Sequence, residues 1–186
     1  MAILAAAVAV VGALGLLNLL LLVAVIRRLR DHTVKQSAAG TQEGLLAPGT
    51  QVSGVPVSDE AGRSIEADWM SQGSKLVVLM SATCNACMEQ LPRAAAYTAG
   101  FSGAAENVLA VVVGDGGHRD EIVDRLHGST TLVRGTDAQL LADALHNEAY
   151  PTYYLLDEGR VQVATHSVSQ LMARTGRQVV GAAADR

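Results

Sequence analysis

The sequence predicts an α/β fold built on a mixed sheet flanked by helices. Three observations carry that expectation. Two continuous apolar runs, Leu76–Met80 and Val108–Val113, read as strands buried on both faces. Each is followed by a helical pattern. Near the end, Thr152–Leu156 and Val161–Ala164 flank the turn Asp157-Glu158-Gly159-Arg160, which reads as a hairpin.

Before the sheet comes an apolar stretch. From Ala2 to Ile26 there is no charged residue, and the run would measure roughly 37 Å as a helix, enough to span a hydrocarbon core of about 30 Å. Arg27-Arg28-Leu29-Arg30 follows where a cleaved leader would carry small residues. One retained transmembrane helix is therefore expected, with residues 1–30 as the anchor and its basic flank. Residues 31–46 are polar and mixed and read as a linker, 47–180 as the folded domain, and 181–186 as a tail. The three arginines favour a cytoplasmic domain by the positive-inside rule. Without them the remainder has 11 basic against 18 acidic residues, with no basic patch and few aromatic platforms, which excludes a nucleic-acid surface. With aromatics at only 3%, the core is expected to be Val, Leu and Ala.

In chain order, Pro48-Gly49 opens the domain, and Val52–Val57 with Arg63-Ser64-Ile65 suggests a short hairpin around Asp59-Glu60-Ala61-Gly62. A helix is expected from Cys84 to about Thr98, kinked at Pro92. Arg119–Leu126 reads as a short helix and Thr131-Leu132-Val133 as an edge strand. Asp137 is placed as the cap of a helix reaching about Asn147, and a last helix lies near Ser169–Thr175.

Cys84-Asn85-Ala86-Cys87 carries the chemistry. These are the only two cysteines, and they follow a strand and open a helix. That arrangement suits thiol–disulfide exchange: helix N–H groups and the positive dipole end favour a thiolate on the first, and the second lies one turn on. A half metal site is the competing reading, but His32, His118, His127, His146 and His166 show no paired spacing. Gly114-Asp115-Gly116-Gly117 lacks phosphate-loop spacing and reads as a solvated turn. A peroxide-reducing thiol suits the tight pair less well than disulfide exchange. Tyr150-Pro151-Thr152 admits two readings, a turn proline at a strand start or a cis proline packed against the cysteines and presenting a backbone edge to substrate.

Ser81-Ala82-Thr83-Cys84-Asn85-Ala86-Cys87, Pro92, and the run from Tyr150 to Arg160 together resemble membrane-anchored thioredoxin-like proteins, of the TlpA-like disulfide reductase or methylamine-dehydrogenase accessory type. The resemblance covers roughly Leu45 to Thr175. It implies a thioredoxin-like sheet, Cys84 as the attacking thiol, Cys87 as the resolving one, and Tyr150, Pro151 and Thr152 as the substrate edge. Thr83, Gln90 and Pro92 are the supporting residues it implies. Thr83 replaces a frequent Trp, Gln90 a frequent Glu, and Val78 the buried acid of thioredoxin proper. It further implies an extracytoplasmic domain, against the arginine count, acting as a reductase on protein disulfides and recharged by a membrane electron-donor protein. No cofactor and no metal is expected. A copper chaperone using Cys84, Cys87 and a histidine is the alternative.

Overall fold

The computed structural model describes residues 44–184, together with Gly12 and Gly15. Apart from those two glycines, the expected membrane helix, its arginine flank and the linker up to residue 43 lie outside the described residues. Among the described residues no helix is long and apolar enough to cross a membrane.

Two short strands come first, β1 (Val57–Ser58) and β2 (Ser64–Ile65), then a 3₁₀ turn at Trp69–Ser71. β3 (Ser74–Ser81) leads into α1 (Asn85–Ala99), a single turn α2 (Ala104–Asn107) and β4 (Val108–Val113). α3 (Arg119–Leu126), β5 (Thr131–Arg134) and α4 (Gly135–Ala144) follow. β6 (Thr152–Asp157), β7 (Arg160–Thr165) and α5 (Val168–Ala184) complete the order. The main sheet runs β5-β4-β3-β6-β7. β3 is parallel to β4 and antiparallel to β6, so the sheet is mixed, as expected.

The apolar runs divide by the period of a strand. Val77, Leu79, Leu109 and Val111 face one core with Ala138, Leu141 and Ala142 of α4. Leu76, Val78, Val108, Ala110 and Val112 face the other with Leu91 of α1, Ile122 and Leu126 of α3, and Leu171 of α5. Burying each such Leu or Val fully contributes about 1.5–3 kcal/mol, which is why continuous apolar runs end up as central strands. The core is not aliphatic alone: Tyr153 and Tyr154, adjacent on β6, are fully buried on opposite faces.

Several elements differ from expectation. The first strand shrinks to Val57–Ser58, because Gln51 instead bridges Arg160 and the Val52 N–H bonds the Gly159 carbonyl. Asp137 is inside α4 rather than at its cap, and its carboxylate accepts the Ser58 N–H at 2.7 Å, closing the β1 edge onto the helix. α5 runs to Ala184, past the expected end at Thr175. Leu45 and Leu46 pack against the core rather than trailing free of it.

Candidate active site

β3 ends at Ser81, and the Ala82 N–H still bonds the Val113 carbonyl at 2.9 Å, so the loop leaving the strand is pinned to β4. The Cys84 N–H bonds the Ser81 carbonyl at 3.1 Å, folding the chain back into α1. Cys84 takes an extended conformation as the helix cap, and its Sγ accepts the Cys87 N–H at 3.1 Å. The sulfur thus occupies the place where a helix otherwise wants an oxygen, at the positive end of a 15-residue dipole.

The two thiols are unlike. Both are free, Cys84 half-buried and Cys87 fully buried one turn behind it. Burial pushes the Cys87 thiol far up, and the neighbouring Cys84 pushes it further. The arrangement separates an accessible sulfur from a reserve sulfur that holds its proton.

The other wall comes from the start of β6. Antiparallel pairing sets Leu79 opposite Thr152, which carries residues 150–152 to the same sheet end as the cysteines. The Tyr150–Pro151 peptide bond is cis, as the substrate-edge reading requires. The Cys84 thiol donates to the Tyr150 carbonyl at 3.4 Å. Thr152 is buried, and its hydroxyl donates to the Ala149 carbonyl at 2.6 Å.

The remaining expected residues divide. Gln90 uses both ends of its amide: Nε2 donates to the His166 carbonyl at 3.0 Å and Oε1 accepts the Val168 N–H at 2.9 Å. It ties α1 to the segment between β7 and α5. Thr83 is exposed, with its hydroxyl 3.2 Å from that of Ser81. Pro92 is exposed inside α1 and takes no part in the hydrogen bonds around the thiols.

Three features escaped the sequence reading. His166 reaches the site, with Nδ1 3.0 Å from the Pro151 carbonyl and 3.0 Å from the Thr152 hydroxyl. The predicted hairpin could have placed it, since Thr165 pairs with Tyr153; but a bulge at Leu155/Leu156 shifts the register by one, so counting from the turn misses. The glycine loop is not a free turn. A Cβ on Gly116 would lie 2.7 Å from the Ala82 carbonyl and 2.8 Å from the Thr83 methyl, and the His118 N–H bonds that same Ala82 carbonyl. Tyr153, opposite Val78, buries its hydroxyl without a hydrogen-bond partner on the face that holds Cys87.

Among the described residues no three His, Cys, Asp or Glu side chains gather as a metal site. A cleft of about 1320 Å³ beside α1 and α5, lined in part by Tyr97, Phe101 and Met172, includes neither cysteine.

No protein-family model matches the sequence, and no curated protein matches it. Solved structures do. The thioredoxin domain of a thiol–disulfide oxidoreductase from Bacteroides vulgatus matches with TM-score 0.57 at 16% identity, covering 72% of this chain and 99% of that one. The fold is thioredoxin-like. A thiol:disulfide interchange protein from Bacteroides sp. gives 0.56 at 16% identity over 71% of this chain and 90% of that one. A secreted Mycobacterium tuberculosis disulfide oxidoreductase gives 0.52 at 11% identity over 66% and 94%. In this thioredoxin-like frame the cysteine loop, the glycine loop and the Tyr150–Pro151 segment meet at one end of the sheet.

Proposed function

We propose that the protein is a membrane-tethered thiol–disulfide oxidoreductase acting as a reductase on protein disulfides. The observation that carries the reading is the asymmetric thiol pair: Cys84 half-exposed at the helix cap, Cys87 buried behind it, and the Tyr150 carbonyl 3.4 Å from the first sulfur.

The Cys84 thiolate attacks one sulfur of a substrate disulfide. A Cys84–substrate mixed disulfide forms, and the other substrate sulfur leaves as a thiolate. Cys87 then gives up its proton and attacks the Cys84 sulfur. The Cys84–Cys87 disulfide forms, the second substrate thiol leaves, and two electrons have passed from protein to substrate. Burial first, and then Cys84, keep the Cys87 thiol protonated in the resting dithiol. Tyr150, Pro151 and Thr152 offer the backbone edge along which a substrate chain lies.

The charge-free run from Ala2 to Ile26 supports the tether. The resemblance to the TlpA-like and methylamine-dehydrogenase accessory proteins supports the reductive direction, a domain outside the cytoplasm and a membrane electron donor that restores the dithiol. The Arg27, Arg28 and Arg30 flank pulls the other way, and a C-terminal reporter fusion reads the side directly.

Trapping tests the chemistry. Cys87→Ser is expected to accumulate mixed disulfides through Cys84 that Cys84→Ser abolishes. Absence of adducts, with Cys84 slow to alkylate at neutral pH, refutes the enzyme reading. An anaerobic Cu(I) titration showing tight, stoichiometric binding would support the chaperone alternative instead.

A further inference from the structure

We infer that His166 is a positioning residue whose Nδ1–H holds the Pro151 carbonyl, and so fixes the substrate edge beside Cys84. The inference deepens the thiol–disulfide reading and rests on it.

The protonation of the ring follows from its neighbours. Nδ1 lies 3.0 Å from the Pro151 carbonyl oxygen, which can only accept. It lies equally 3.0 Å from the Thr152 hydroxyl. That hydroxyl has one proton, and its 2.6 Å bond to the Ala149 carbonyl uses it. Thr152 therefore turns a lone pair toward the ring. A bare Nδ1 would face two oxygens with nothing to share, so Nδ1 carries the proton and donates to both.

The position matters because Pro151 has no N–H, and its carbonyl is the one hydrogen-bonding group that can hold that residue. Tyr150, just before it, meets the Cys84 sulfur. The His166 main chain is itself held, since its carbonyl takes the Gln90 amide of the helix that contains Cys87. His166 thus links the thiol helix to the substrate edge without touching either sulfur in the hydrogen-bond network.

The test uses the reduced full-length chain, a disulfide-bridged peptide as substrate and dithiothreitol to recycle the enzyme. His166→Asn places an amide nitrogen where Nδ1 sits; His166→Gln and His166→Phe do not. Loss of the held edge is expected to raise KM for the peptide about five- to tenfold in the Gln and Phe variants, with kcat within twofold. The Asn variant is expected to keep KM within twofold of the wild type. Cys84 alkylation by iodoacetamide is expected to stay within twofold in all three. An unchanged KM in the Gln variant overturns the inference, as does an Asn variant as impaired as Gln or a parallel loss of Cys84 alkylation. If the Phe variant fails to fold, the Asn–Gln contrast decides. A wild type that does not reduce the peptide, with no adduct trapped by Cys87→Ser, refutes the underlying reading instead, and removes the inference with it.

Discussion

Gln90 shows what one amide does at this site. It donates to one main-chain carbonyl and accepts from one main-chain N–H, on either side of Ser167. A carboxylate could keep only the second bond and would face the His166 carbonyl with a charge. Gln90→Glu, although it installs the acid frequent in the family this chain resembles, is therefore expected to destabilise the protein by about 1–3 kcal/mol at neutral pH. Urea unfolding of the two chains measures it. The sequence named Gln90 as a departure but could not say what it bonds, because both partners lie 76 and 78 residues away. Gly116 is the same lesson in sterics. It stood in a legible glycine run, yet the reason for a glycine there is the Ala82 carbonyl on a neighbouring strand's loop.

At the scale of elements, α1 links a buried proton to stability. Burial, and then Cys84, raise the Cys87 thiol far above its ordinary value of 9.0. Above pH 9 the unfolded chain has lost this proton while the folded one keeps it, so stability falls as pH rises. The reduced wild type is expected to lose up to about 1.4 kcal/mol per pH unit from this group above pH 9. Cys87→Ser is expected to show a correspondingly shallower slope in urea titrations at pH 8.5 to 10. Comparing slopes cancels Lys75, whose side chain burial shifts below its ordinary range. The central strands, α1 and the late hairpin were legible because continuous apolar runs and turn residues act locally. Asp137 was misplaced because a local cap and a long-range bond to Ser58 look alike in sequence.

The folded domain hangs on β3. It is hydrogen-bonded to β4 on one side and β6 on the other, and Leu76–Met80 are fully buried. Its amides are expected to exchange slowest with solvent, at the global unfolding limit, while the two-residue strands β1 and β2 exchange faster. Hydrogen-exchange mass spectrometry checks the order. The antiparallel pairing of β3 with β6 also has a consequence in time. Cys84 and Tyr150 meet although 66 residues separate them along the chain. At translation rates of about 5–20 residues per second, the Tyr150–Pro151 segment is made roughly 3–13 s after the first thiol. During that interval the nascent chain holds a dithiol with no Tyr150 carbonyl beside its first sulfur and no β6 wall over its second. The environment of the thiol pair is thus a property of the finished chain rather than of the four-residue motif, and newborn copies depend on their surroundings to keep the pair from reacting early.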